Sequence, residues 1–253
     1  MGSTPRTLGS IRVLFHLGKS KKSTLIGSTL VAAVALLAAM IAMPWDLEIS
    51  QWVRLKHIPG DLRRFIHLME IFAHTLGCVM ILSTLLWIDQ RNRSKLWKAA
   101  MFVLTCGLLA NLAKYLIPRR RPSTYDREPW SWLNPDRDPD SVFVSSWDAW
   151  GSPLTESWFN ESIRSFPSGH TATAVAMAIG LTYVYPKGKP LFLFMATVAA
   201  LQRLIAGAHY LSDILVSIPL TLLVALAWAI LPERESSTAY EEKTGPLMNT
   251  YER

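Results

Sequence analysis

Apolar and polar positions alternate along this chain in long blocks, not at the short period of an amphipathic helix or strand. Leu25 to Met43 runs 19 residues without a charge, close to the roughly 20 needed to cross a hydrocarbon core about 30 Å thick. Five more apolar blocks follow, from His67 to Ile88, Trp97 to Ile117, Gly169 to Tyr185, Pro190 to Ala206 and Leu211 to Leu231. A soluble bundle would show polar faces at 3.6-residue spacing, yet Leu215 to Ile230 carries no charged residue. The pattern predicts an all-α integral membrane bundle of six transmembrane helices. Two blocks fit it less closely: the second contains Glu70 and two histidines, and the fourth is short and rich in Ala and Thr.

This divides the chain into a cytoplasmic N-terminal segment (1–24), a membrane domain (25–232) and a cytoplasmic polar tail (233–253). More than 20 residues precede the first block, and no small-x-small cleavage site follows it before Pro44-Trp45-Asp46. The first span is therefore expected to be retained and not removed as a signal peptide. With the N-terminus inside, the cytoplasmic segments hold 14 of the 26 Lys and Arg residues, among them Lys21, Lys22, Arg91, Arg93 and Lys187. Six arginines fall in the loop from Pro118 to Pro167 between helices 3 and 4, a length at which the positive-inside rule loses force. The bias predicts both termini in the cytoplasm and that loop on the extracytoplasmic side. The net charge of +7 is then mainly a topology signal, and no run of basic and aromatic residues points to nucleic acid. Cys78 and Cys106 both lie inside apolar blocks and read as small packing residues.

The long loop breaks the pattern. It holds Trp130, Trp132, Trp147, Trp150 and Trp158, half of the ten tryptophans, with eight acidic residues. That composition is too aromatic for a disordered linker, and tryptophan favours the headgroup zone. The composition suits a lid lying on the membrane that admits a lipid headgroup, or a cap packed on itself.

Candidate chemistry lies where apolar blocks meet polar segments. Lys114 stands near the end of the third block and Arg121 seven residues later, past Pro118. Alone, Lys114 reads as a snorkelling anchor and Arg119-Arg120-Arg121 as an interfacial charge run. Both residue types also supply the fixed charge and forked donors that a phosphoryl group needs. Pro167-Ser168-Gly169-His170 opens the fourth block. A helix start offers unpaired N–H groups and a dipole that favours an anion. Ser168 can cap the helix and Gly169 admits close approach, but a plain cap leaves His170 unexplained. Gln202-Arg203 precedes His209 and Asp213, which are four residues apart and share a helical face if a helix begins there. A carboxylate beside one imidazole nitrogen would fix the tautomer and free the other nitrogen to attack. The plain alternative is a structural His-Asp pair at a helix start.

Together these segments resemble the type 2 phosphatidic acid phosphatase superfamily, whose signature reads K-x6-R-P, P-S-G-H and S-R-x5-H-x3-D. Lys114 with Arg121-Pro122, Pro167 to His170, and Arg203, His209 and Asp213 match it in order and spacing; Gln202 replaces the usual serine. The resemblance implies that His209 attacks phosphorus to give a phosphohistidine, with Asp213 orienting its ring. His170 would protonate the leaving oxygen and then activate water, while Lys114, Arg121, Ser168, Gly169 and Arg203 bind the phosphate oxygens. It implies a lipid phosphate or pyrophosphate substrate at the bilayer, and neither metal nor cofactor. The alternatives are a lipid phosphotransferase using the same intermediate and a non-catalytic lipid-binding protein that keeps the fold. A haloperoxidase of the same superfamily fits less well, since those members are soluble. The sequence carries no signal of oligomeric state.

Overall fold

The computed structural model describes residues 19–55, 58–125 and 145–230. Most of the N-terminal segment, the polar tail, and the middle of the long loop with Trp130 and Trp132 lie outside the described residues. Within them the chain is all-helical: α1 (Lys19–Ala42), α2 (Asp46–Leu55), α3 (Gly60–Leu68), α4 (Thr75–Ile88), α5 (Arg93–Leu116), α6 (Gly169–Val184), α7 (Lys189–Ile205) and α8 (Leu211–Ile230), joined by short 3-10 turns. The principal packing pairs are α5 with α6, α6 with α7, and α1 with α8.

Among the described residues, four helical runs are long and apolar enough to cross a membrane: Leu25–Arg54, Gln90–Leu116, Pro186–Ile205 and Leu211–Trp228. The bent pair Gly60–Phe72 and Thr75–Ile88 makes a fifth if counted as one span. The surface supports the bilayer setting. Leu30, Val34, Trp87 and Leu223 point outward, while Arg119, Gln202, His209 and Asp213 are enclosed. Apolar outside and charged inside is the arrangement a hydrocarbon solvent favours and water does not.

Three expected spans differ in detail. The first does not stop at Pro44: a 3-10 turn, Met43–Trp45, accepts the proline in its first turn and leads directly into α2, where a missing N–H costs nothing. The fourth is only 16 residues, about 24 Å at 1.5 Å per residue. Its buried Ala172, Ala174, Ala176, Ala178 and Gly180 let α5 and α7 close around it, so it is the enclosed centre of the bundle and needs no lipid-facing length. The second is not one helix. It breaks over Met69–Phe72 and turns by 65°. His74 caps α4 by accepting from the Leu76 N–H at 3.3 Å, and a Cβ at Gly77 would lie 2.0 Å from the Ile71 carbonyl oxygen. The fold-back therefore requires glycine there, and it carries Glu70 inward. Cys78 and Cys106 are buried and free in the apolar core with Met177 and Leu181.

Candidate active site

The ends of α5, α6, α7 and α8 meet at one place. Past α5, the segment from Arg119 to Arg121, the first end of the long loop, pairs with the loop's far end. The Arg119 N–H donates to the Ile163 carbonyl at 2.8 Å, the Arg121 N–H to Ser162 at 2.7 Å, and the Ser165 N–H to Arg119 at 2.9 Å. This backbone exchange fixes where the arginines emerge.

Ser168 caps α6 as its sequence position predicts, accepting from the Thr171 N–H at 3.3 Å. A Cβ built on Gly169 would sit 3.2 Å from Lys114 Nζ and 3.1 Å from Asn111 Oδ1. The bare glycine is what lets the ammonium approach the helix start. His170, the next residue, lies with its Nε2 3.6 Å from Glu70 Oε1 and its ring 5.9 Å from that of His74.

His209 and Asp213 are fully buried. The His209 Nδ1–H donates to the Ser165 carbonyl at 2.6 Å. A carbonyl can only accept, so Nδ1 holds the proton and Nε2 keeps its lone pair. Here the sequence expectation needs correcting. Asp213 Oδ2 is 3.8 Å from His209 Nδ1, too far for a hydrogen bond, so Ser165 sets the tautomer. Asp213 instead accepts from Ser165 Oγ at 2.6 Å, the Tyr210 N–H at 2.9 Å and Arg119 Nη1 at 2.5 Å, orienting the histidine through Ser165. Burial pushes the His209 imidazole down to about 4; Lys114 and Arg121 act the same way, and Asp213 opposes them. At neutral pH His209 is an uncharged base.

Arg119 departs from the charge-run reading. It is fully buried. Nη2 donates to Asp46 Oδ2 at 2.8 Å, while Nη1 donates to both Asp213 and Ser212 Oγ, the latter at 2.8 Å. Its guanidinium carbon lies 4.4 Å from the centre of the Trp150 ring and 4.1 Å from that of Tyr210. Asp46 also accepts from the Ser212 N–H at 3.0 Å and from its hydroxyl. Arg119 thus ties α2 to α8 behind the histidine.

The cations facing the site have donors to spare. Among the described residues, Arg121 Nε, Arg203 Nε and His170 Nε2 are buried without a hydrogen-bond partner. Such groups are rare unless they face a ligand or water. Burial lowers the proton affinity of Arg121, and nearby Arg203 and Arg164 add to it against Glu161, as expected where cations crowd together. Arg203 Nη1 contacts Glu70 Oε1. Gln202 Nε2 lies 3.2 Å from Glu70 Oε2 and 3.2 Å from His67 Nδ1.

All eight residues singled out in the sequence converge here. Sequence reasoning passed over Asp46, Glu70, Arg119, Trp150 and Ser165. Glu70 did carry a signal, since an ionisable group inside an apolar span is a functional candidate by default.

A model of the PAP2 superfamily matches residues 95–236. The lipid A 1-phosphatase of Rhizobium etli is 28% identical over 131 residues, 50% of this chain and 47% of that protein. The lipid A 1-phosphatase of Rhizobium johnstonii is 28% identical over 132 residues, 50% of this chain and 45% of that protein. The chain spans about half the length of these curated relatives. The crystal structure of a transmembrane PAP2-type phosphatidylglycerolphosphate phosphatase from Bacillus subtilis aligns at a TM-score of 0.44 and 17% identity, covering 89% of this chain and 97% of that one.

Proposed function

The chain belongs to the PAP2 superfamily, and on that premise we propose that it is a membrane phosphatase that removes the terminal phosphate of a lipid phosphate through a phosphohistidine on His209. The observation that carries this reading is the His209 ring. With Nδ1–H given to Ser165, its Nε2 lone pair belongs to a neutral imidazole ready to attack.

In the first step Nε2 attacks phosphorus in line, the bond to the leaving oxygen breaks, and that oxygen takes a proton from His170. In the second, His170 accepts a proton from water, the water oxygen attacks phosphorus, and the P–N bond breaks to release phosphate and restore His209. Lys114, Arg121, Arg203 and the N–H groups at the start of α6 hold the equatorial oxygens as charge redistributes, which is where most phosphoryl-transfer catalysis resides. These side chains supply the positive charge the transition state needs, so the cycle requires no cofactor.

The finer topology belongs to the same proposal: six spans, with the central α6 and the bent α3/α4 pair each counted once, both termini cytoplasmic, and the site on the extracytoplasmic face. The basic residues flanking the spans favour it.

Trapping of acid-labile phosphate on the purified protein during turnover of a lipid phosphate tests the chemistry. Wild type should accumulate it, and His209→Ala should lose both the phosphoenzyme and turnover. A variant that kept either would refute the nucleophile assignment.

A further inference from the structure

We infer that Glu70 forms a fixed anionic wall on the leaving-group side of the site, selecting monophosphate esters whose leaving group bears hydroxyls over lipid diphosphates. The inference rests on the phosphatase reading and goes beyond it by naming the substrate class.

If His209 attacks from behind phosphorus, the departing oxygen lies on the opposite side, where the proton donor His170 must reach it. Glu70 Oε1 is 3.6 Å from His170 Nε2. Whatever is attached to the departing oxygen therefore passes beside this carboxylate. A diphosphate would bring its second, negatively charged phosphoryl group there. A glycerol or sugar leaving group would bring hydroxyl donors, which a carboxylate accepts.

Glu70 is also held in place. The 3-10 break between α3 and α4 packs against α7, Arg203 Nη1 contacts one oxygen of Glu70, and Gln202 Nε2 lies 3.2 Å from the other. Gln202 is itself buried and lies 3.2 Å from His67 Nδ1. The residue that departs from the superfamily's usual serine thus helps Arg203 hold Glu70. These contacts use different atoms from the unpartnered Arg203 Nε and Arg121 Nε. Phosphate can bind those without displacing the carboxylate, so the wall persists in the complex. Among the described residues, the ionisable groups around Glu70 are Arg203 and His170 in direct reach, His67 through Gln202, and His74 beyond His170. Among these groups the permanent cation is Arg203, and it is already in contact with the Glu70 carboxylate.

The test compares kcat/KM of the purified full chain for lysophosphatidic acid, a monoester with a hydroxyl on its leaving group, and for farnesyl diphosphate. Wild type should favour the monoester by at least about tenfold. Removing a like charge at about 5 Å in a half-buried site is worth that order, so Glu70→Gln should raise the diphosphate-to-monoester ratio about tenfold. Freeing Arg203 helps both substrates, which is why the ratio is the readout. A wild type that hydrolyses both equally, or a folded Glu70→Gln protein whose ratio moves less than about twofold, would overturn the inference. So would equal loss of both activities, which would make Glu70 a positioning residue for His170. The wild-type preference needs no variant to fold. Failure of the phosphohistidine reading is seen separately, as turnover that survives His209→Ala.

Discussion

Replacing Arg119 with methionine removes the cation between two buried carboxylates. Asp46 and Asp213 are both fully enclosed, at 2.8 and 2.5 Å from the guanidinium. Removing one partner of a buried pair costs about 3–5 kcal/mol, because the other charge is left without its counterion. Two carboxylates are stranded here, yet each keeps other donors: Ser212 for Asp46, and Ser165 and Tyr210 for Asp213. The total is therefore nearer one such penalty than two. Loss of the ring contacts with Trp150 and Tyr210 adds about 1 kcal/mol. An expected loss of about 4–6 kcal/mol corresponds to roughly 8–24 °C in the thermal midpoint of a domain this size, measured on detergent-solubilised protein. Asp46→Asn removes one stranded charge, so the double variant should lose less than the sum of the single losses, with a coupling of at least about 1 kcal/mol. A loss below about 1 kcal/mol, or strict additivity, would show that Arg119 does not hold the two carboxylates together.

Two further outcomes follow from the site. Gly169→Ala places a Cβ 3.2 Å from Lys114 Nζ; displacing the ammonium should lower kcat/KM about tenfold or more while the thermal midpoint holds, and unchanged steady-state kinetics would mean Lys114 is not needed at the helix start. His209 protonates at about 4 in the fold against about 6.5 in the unfolded chain. Above pH 6.5 both forms are neutral; between 6.5 and 4 only the unfolded chain gains the proton, so stability falls by up to about 3 kcal/mol over that window. His209→Asn should flatten the dependence of the thermal midpoint on pH there, and an unaltered slope would contradict the buried neutral imidazole.

The catalytic candidates were legible because their signals are local. Lys114 with Arg121, Ser168 to His170, and Arg203 with His209 and Asp213 are each fixed by short spacing at a helix end, where capping and dipole arguments apply. What surrounds them was not legible. Arg119 meets Asp46 across 73 positions and Glu70 meets Arg203 across 133, and no periodicity encodes such pairings. The four-residue spacing of His209 and Asp213 suggested a direct bond. In the fold, a carbonyl from the long loop accepts the hydrogen bond from the Nδ1–H, a backbone contact that leaves no mark on residue type. The second span looked continuous because hydropathy averages over a window, whereas its break depends on the space beside Gly77.

The Arg119 bridge also bears on how the protein is made. Asp46 precedes residues 95–236, the part that carries the family's pattern, while Asp213 lies in the first turn of α8. Synthesis delivers the first carboxylate before Arg119 and the second 94 residues after it. Until then Arg119 has at most half its counterions and Ser165 has no Asp213 to accept its hydroxyl, so the histidine pocket closes last. A fragment trimmed to the matching region would carry every motif residue yet lack Asp46, one of the two carboxylates that Arg119 binds.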